Sequence, residues 1–313
     1  RDYDERTSLT TVREIFTVVG YIFGAAATTA IAGIFVNSFG WTDKAAYSGM
    51  GAVFGVLAAA AVLTTAFGVK EKPSTEIQPS ALPPVKAVLE TLKNKPFMWL
   101  VGSFFLTSFS FTLLTSLLPY FLTYQMNMEG EIPLVMITML VTIGVFLYPM
   151  KFIADKIGKG KAYALGLTIA SLAVASGFFL PYGHSPLIYV IAFFAGMGFS
   201  AQWVCPWSRL PDVVEFDEIK TGERREGMFY GMWAFITKFT NALGIAVSGW
   251  SLSLFGYIPG IMQTDTALLG IRLFFCIVPG VVILLSLPLL IWYPITRQSH
   301  ARLLEELKAK NSG

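Results

Sequence analysis

The feature that most constrains this chain is a series of apolar runs of about twenty residues, the length that crosses a bilayer as an α-helix. Charged or Pro- and Gly-rich segments separate the runs. Only 14% of the residues are charged, against about a quarter in soluble proteins. The sequence therefore predicts an all-α polytopic protein embedded in the lipid bilayer, and this composition argues against a nucleic-acid-binding protein. Eight transmembrane helices are predicted, over residues 12–36, 47–69, 97–124, 132–153, 162–181, 186–208, 227–256 and 267–293.

The distribution of Lys and Arg predicts the orientation of these helices. Alternate connections on one side of the membrane carry 20 of the 23 cationic residues. Only Lys44 and Arg272 belong to the opposite side, and Lys238 lies within a helix. Short loops rich in cations stay in the cytoplasm. We therefore expect an integral protein of the plasma (inner) membrane with both ends of this chain cytoplasmic.

One connection, residues 70–96, differs from the others. It carries four prolines and then a short amphipathic stretch at residues 85–92, as expected of a cytoplasmic interdomain linker. Two predicted spans precede it and six follow, which fits a six-plus-six transporter whose first four spans lie upstream. A long loop in an eight-span protein is the alternative. On the first interpretation, eight of twelve expected helices are present. The domains are residues 1–69, the last two helices of the N-terminal half; the linker; residues 97–296, the C-terminal half; and residues 297–313, a cytoplasmic tail.

Glycines four residues apart predict where helices come close together. The three such pairs are Gly20–Gly24, Gly51–Gly55 and Gly227–Gly231. Small residues at this spacing permit close approach of two helix backbones in a membrane.

Lys238 is the most unusual residue within an apolar run. It lies about 16 Å into the seventh predicted helix, near the middle of the bilayer, where a lysine costs about 3 kcal/mol. Asn241 lies one turn further along the same face. The pattern predicts that Lys238 and Asn241 bind substrate or take part in coupling. A purely structural ion pair with another helix is the alternative.

The end of the sixth predicted helix combines Gln202, Trp203 and Trp207 with a proline. The two tryptophans are four residues apart and share a face. Their indoles could stack on a sugar ring or an acyl chain, and Gln202 could bind a substrate hydroxyl. Anchoring of the tryptophans at the membrane interface is the alternative.

Signatures of catalysis are absent from the sequence. The motifs HExxH and GxSxG do not occur, and the two histidines are His184, in an external turn, and His300, in the tail. We therefore expect neither an enzyme nor a bound cofactor.

Residues 210–227, LPDVVEFDEIKTGERREG, resemble a loop of the glycoside-pentoside-hexuronide:cation symporters, the melibiose permease group of the major facilitator superfamily. That loop reads roughly D-V-x-D-Y-x-E-x-K-T-G-x-R-x-E-G and precedes the eleventh helix. Here Glu215 and Phe216 replace the usual Asp and Tyr. The family has a lysine about twelve residues later, where Lys238 stands. Residues 2–13 and 92–97 are similar to the family's helix four–five connection and to the start of its helix seven.

The resemblance implies a symporter of sugars or glycosides that is coupled to Na⁺ or H⁺ and works by alternating access. Its cation-binding carboxylates lie on helices one, two and four, so we expect the metal site upstream of residue 1. The family's loop charges close a cytoplasmic gate. The corresponding residues here are Arg13, Asp212, Glu215, Glu218 and Arg224.

Two alternatives to a sugar carrier stay open. The same family includes sodium-dependent lysophosphatidylcholine symporters, which are similar to this sequence at Pro206–Val213, so a lysophospholipid is the second candidate substrate. A non-transporting membrane protein is the remote alternative. A channel would need a ring of repeated polar residues from an oligomer, whereas this asymmetric pattern predicts a monomer.

Overall fold

The fold is given by a computed structural model that describes residues 3–68, 83–223 and 225–293. Within these residues it is entirely helical, with no strand. Two π-helical turns occur: Phe121–Gln125 continues α4, and Leu273–Ile277 joins α9 to α10. The α-helices are α1 (Tyr3–Phe39), α2 (Asp43–Gly68), α3 (Pro84–Leu92), α4 (Lys95–Tyr120), α5 (Ile132–Ile157), α6 (Lys159–Ser176), α7 (Leu187–Thr221), α8 (Glu226–Leu254), α9 (Asp265–Arg272) and α10 (Val278–Ile291).

The eight predicted spans coincide with long helices, which confirms the all-α polytopic class. The last span consists of α9, the second π-helical turn and α10. Six helical segments of the described residues are long and apolar enough to cross a membrane: α2, α4, α5, α6, α7 and the α9–α10 segment. The remaining two long helices, α1 and α8, are not among these six; Arg13 and Glu14 lie on α1, and Lys238 lies on α8. The protein is therefore an integral membrane protein.

The helix α7 is longer than the sequence predicted. The apolar run ends at residue 208, but the helix continues through Pro206 and Pro211 to Thr221. At 1.5 Å per residue it is about 52 Å long, so it extends well beyond a hydrocarbon core of about 30 Å. It ends where Gly222 takes a φ of 75° and donates its N–H to the carbonyl oxygen of Glu218 at 2.8 Å.

The chain divides into two compact units. Residues 16–77 form the smaller unit, and residues 1–15 with 78–313 form the larger one. The division falls within α1, between Ile15 and Phe16. The predicted linker is described only from residue 83, where α3 coincides with the predicted amphipathic stretch. The predicted tail lies outside the described residues, and the predicted domain boundaries stay predictions.

In the smaller unit, aromatic side chains pack around the turn between α1 and α2. The rings of Phe35 and Trp41 stack with centroids 4.7 Å apart. A Cβ on Gly49 would lie 2.6 Å from the indole of Trp41. The ring of Phe23 on α1 meets Phe54 on α2 edge to face, with a centroid distance of 6.3 Å.

In the larger unit, successive membrane helices alternate in direction. At one end of this unit α4, α6 and α8 begin, and α5 and α7 stop. We call it the charged end; it contains residues 151–161, residues 209–223 and Arg225. The hydroxyls of Tyr124 and Tyr257, 2.9 Å apart, mark the opposite end. An aromatic and aliphatic core joins α4, α7 and α8 near the charged end, and it includes Phe97, Phe104, Leu210, Phe229 and Trp233.

Glycines bring several helices of the larger unit close together, but they are not those in the predicted pairs. A Cβ on Gly166 of α6 would lie 2.8 Å from the carbonyl oxygen of Gly198 on α7. A Cβ on Gly196 would lie 2.6 Å from the carbonyl oxygen of Met139 on α5. Among the described residues, nothing lies within 4 Å of a Cβ built on any glycine of the three predicted pairs. The structure therefore places these close helix contacts at glycines outside the predicted pairs.

Candidate functional site

Two buried ion pairs join helices at the charged end. Lys159, the first residue of α6, donates to Asp212 Oδ2 at 3.0 Å and to the carbonyl oxygen of Ser208 at 2.8 Å. Both side chains of this pair are 2% exposed. Arg225, just before α8, donates from Nε and Nη2 to Asp217 Oδ2 at 3.0 and 2.7 Å. The two pairs therefore attach the start of α6 and the start of α8 to α7.

Asn94 connects the second ion pair to α4. Its Nδ2 donates to Asp217 Oδ1 at 3.2 Å, while its Oδ1 accepts the backbone N–H of Phe97 at 3.0 Å. The second hydrogen bond caps α4, satisfying an N–H that the helix itself leaves unpaired. One side chain thus begins α4 and holds it against α7.

Arg209 is a further buried cation at this end. Arg209 is 3% exposed, and its Cζ lies 4.2 Å from the centroid of the Tyr293 ring. Neither its Nη1 nor the Tyr293 hydroxyl has a hydrogen-bond partner in the described part of the chain. The contact of Arg209 with Tyr293 is a cation–π contact.

The guanidinium of the predicted gate residue Arg13 contacts the indole of Trp207. Its Nε and Nη2 donate to Oε1 of the neighbouring Glu14 at 3.1 and 2.5 Å, and its Cζ lies 4.2 Å from the centroid of the Trp207 ring. The centroids of Trp207 and Trp233 are 5.5 Å apart, and those of Trp233 and Phe104 are 4.3 Å apart. Arg13 therefore meets one end of an aromatic series that reaches from α7 through α8 to α4.

The other predicted gate residues lie on the last turns of α7 or beyond them. Asp212 is buried against Lys159, as described above. Glu215 and Glu218 are half-buried, and each has a polar or electrostatic partner. Arg224 lies outside the described residues. The pairing of this group with Arg13 stays a prediction.

Two of the predicted substrate residues lie at the same level of the bundle. The hydroxyl of Thr112 on α4 donates to Asn241 Oδ1 on α8 at 3.2 Å. Phe111, the residue before Thr112, contacts the ring of Trp203 on α7 edge to face, and the two ring centroids are 6.5 Å apart. Because Phe111 and Thr112 are consecutive residues of α4, Trp203 and Asn241 lie at about the same height along that helix.

The structure places the remaining substrate candidates near that level. Gln202 precedes Trp203, is 5% exposed, and its Oε1 has no hydrogen-bond partner among the described residues. Lys238 lies three residues before Asn241 and is exposed on α8, as are Phe235 and Phe239. Trp207, in contrast, lies one turn closer to the charged end, under Arg13.

Sequence reasoning missed most of the buried ionic network. Lys159 lies in a basic turn between α5 and α6, but nothing local indicates that this lysine, rather than Lys156 or Lys161, is the buried one. Asp217 and Arg225 lie within the motif that carries the family resemblance, which was the available signal for them. No three His, Cys, Asp or Glu side chains come together as metal ligands in residues 3–68, 83–223 and 225–293.

Comparison with known proteins matches most of the chain to one family. Residues 1–297 match the family described as MFS/sugar transport protein. An uncharacterized symporter of Synechocystis sp. is 33% identical over 236 residues, which are 73% of this chain and 43% of that protein. The sodium-dependent lysophosphatidylcholine symporter 1-B of Danio rerio is 28% identical over 246 residues, 76% of this chain and 47% of that protein. The glucuronide carrier protein homolog of Escherichia coli is 26% identical over 230 residues, 72% of this chain and 50% of that protein.

The chain spans about half the length of these three relatives, between 43% and 50%. The family and the relatives are transporters by name, which confirms the resemblance drawn from the loop at residues 210–227. The chain therefore belongs to the MFS/sugar transport protein family of the major facilitator superfamily.

Proposed function

We propose that the full-length protein is a secondary active symporter that carries a sugar or glycoside together with Na⁺ or H⁺ by alternating access. The description of the family and the similarity to a glucuronide carrier homolog support a small carbohydrate substrate. In such transporters, two halves rock about a central site that opens to one side of the membrane at a time.

The observation that carries the proposal is the group formed by Trp203, Asn241 and Lys238. Thr112 and Phe111 hold Asn241 and Trp203 at one level, and Lys238 is one turn away. An indole offers an apolar face to a sugar ring, and an amide can bind its hydroxyls. A lysine within a membrane helix is costly, so a role in substrate binding or coupling is its default explanation. Gln202 is buried, and its amide oxygen has no hydrogen-bond partner in the part of the chain that the structure describes, so it would add a hydrogen-bond acceptor.

The proposed gate consists of Arg13, Asp212, Glu215, Glu218 and Arg224, the first four of which the structure describes. Charge pairs that form in one state and break in the other bias the equilibrium between the two states. The buried pair of Asp212 with Lys159 would keep α7 and α6 together as one body while the gate opens. The coupling cation would bind outside the residues described.

A lysophospholipid is the second candidate substrate, and one feature of α8 favours it. Phe235 and Phe239, which are 63% and 51% exposed, stack with centroids 6.1 Å apart on the face that carries Lys238. A cation beside an exposed aromatic surface fits a phosphate group attached to an acyl chain. Similarity to lysophosphatidylcholine symporters supports this alternative.

The test is uptake by proteoliposomes that contain the full-length protein. Wild-type protein should accumulate one of the two substrate classes, and accumulation should stop when the Na⁺ and H⁺ gradients are dissipated. Lys238→Ala should reduce coupled uptake at least tenfold while the protein still inserts. Lys44→Ala, which removes an exposed lysine in the first turn of α2, is the control and should not change uptake. Full uptake by Lys238→Ala would overturn the role of Lys238, and gradient-independent equilibration by the wild type would overturn symport.

A further inference from the structure

The first turns of α1 belong to the same compact unit as α4–α10. The unit boundary comes after Ile15, so Arg13 lies within the larger unit while the rest of the helix belongs to the smaller one. Glu14, next to Arg13, is 5% exposed. The contact of Arg13 with Trp207 therefore joins the beginning of α1 to α7, two residues before the chain passes into the other unit.

The geometry of this contact is that of a planar cation stacked on an aromatic face. The guanidinium lies 4.2 Å from the indole centroid, and Glu14 accepts two of its N–H groups. A guanidinium held by a carboxylate in this way keeps its plane and its charge, which an ammonium group on a flexible chain would not reproduce. The side chain of Arg13 is 50% exposed, so the contact is accessible enough to separate.

Other aromatic side chains support the ring of Trp207. Its ring meets Trp233 edge to face, and Trp233 lies against Phe104. Phe104 and Trp233 are 5% and 1% exposed. The indole therefore presents one face to Arg13 from a rigid aromatic support that involves three helices.

We propose that Arg13, Glu14 and Trp207 form a latch that holds the start of α1 on α7 in one state of the transport cycle and separates in the other. Trp207 is then a positioning residue for closure of the charged end, and the substrate contact belongs to Trp203, one turn further from that end. The proposal rests on the proposed alternating-access function, because only a protein with two such states needs the contact to break.

The expected strength of the latch makes it suitable for a switch. A partly exposed cation–π contact is equivalent to about a fivefold change in an equilibrium constant. Its loss should therefore shift the ratio of closed to open molecules about fivefold without unfolding the protein.

The test measures the separation of α1 and α7 directly. Spin labels are attached at Val12→Cys and Lys220→Cys, two exposed positions on α1 and on the last turn of α7. Pulsed electron paramagnetic resonance then reports the distance distribution in full-length protein in nanodiscs. Cys205 and Cys276 are buried and need no replacement; accessible cysteines elsewhere in the full-length protein are removed. We expect a short and a long distance, the short one being the latched state.

Four substitutions separate stacking from charge. Arg13→Gln and Trp207→Leu should each lower the ratio of short to long distances about fivefold. Arg13→Lys should have nearly the same effect, because it keeps the charge but loses the planar stack. Trp207→Phe, which keeps an aromatic face, should retain most of the short-distance population. Trp250→Leu, at an exposed position near the far end of α8, is the matched control and should leave the distribution unchanged.

The double variant Arg13→Gln with Trp207→Leu completes the test. If the two residues act through one contact, the double variant should show no larger shift than either single one. Unchanged distances in both single variants, or shifts that multiply in the double variant, would overturn the latch. The distance measurement needs no substrate, so failure of the latch is distinguishable from failure of the proposed function. Absence of uptake by the wild type would count against the symporter alone. Unchanged distances in a protein that transports would count against the latch alone.

Discussion

Replacement of Asp212 by Asn should destabilise the protein strongly, because it leaves the charge of Lys159 buried without its carboxylate. The two side chains are both 2% exposed and their charged atoms are 3.0 Å apart. At that distance, an effective dielectric constant of about 20 gives an attraction of about 5.5 kcal/mol before desolvation is subtracted. Breaking a buried pair by removal of one partner costs about 3–5 kcal/mol.

That free energy is large enough to measure by thermal unfolding. For a domain of about 150–250 residues, each kcal/mol lowers the Tm by about 2–4 °C, so Asp212→Asn should lower it by roughly 6–20 °C. Lys151→Met is the matched control, because the pair of Lys151 with Asp155 has a distance of 3.4 Å and its side chains are 20% and 26% exposed. Loss of such a pair should cost about 1 kcal/mol or less.

A second variant checks the reason for the loss. Lys159→Met combined with Asp212→Leu removes both charges, so neither is left buried alone, and it should be more stable than Asp212→Asn. The assay is the Tm of purified full-length protein in one detergent at one pH. A Tm for Asp212→Asn equal to that of Lys151→Met would refute the reasoning, and so would a double variant that is less stable than either single replacement.

Two further predictions concern packing. Gly198→Ala should lower the free energy of unfolding by about 1–3 kcal/mol, because its Cβ would lie 2.7 Å from the Cβ of Ala170. Gly249→Ala is the control and should be neutral or stabilising, because its Cβ would meet nothing within 4 Å among the described residues. Equal Tm values for the two variants would contradict the close contact at Gly198. Tyr293→Phe should keep the Tm within about 1 °C and Tyr293→Leu should lower it, because the ring that faces Arg209 is retained only in the first variant; equal losses in the two would show that the ring face does not stabilise Arg209.

The positions of the membrane helices could be predicted from the sequence because they depend on local composition. A run of about twenty apolar residues must satisfy its backbone hydrogen bonds internally in lipid, and the helix does so within the run itself. This argument found all eight long helical segments of the described residues. It failed at the end of α7, where the helix continues from residue 208 to Thr221. The charged residues there end the apolar run but not the helix, because Asp212 and Asp217 are buried against cations of other segments.

The candidate site was predicted in part. Lys238 and Asn241 stood out because a lysine and an amide one turn apart are unusual in an apolar helix. Trp203 and Trp207 looked equivalent in the sequence, since they share one face of one helix. In the structure their surroundings differ: Phe111 of α4 contacts Trp203, whereas Arg13 of α1 covers Trp207. Neighbours from other helices therefore separate two residues that helical periodicity could not.

The sequence alone determined the class of the protein, the number of its long helices and the family to which it belongs, because hydropathy and a contiguous motif are local properties of the chain. The tertiary structure alone decided which charges are paired and which glycines bring helices together. Asn94 and Asp217 are 123 residues apart in the chain, and Lys159 and Asp212 are 53 apart. Such contacts depend on how the helices are arranged around one another, and no pattern within a single helix contains that arrangement.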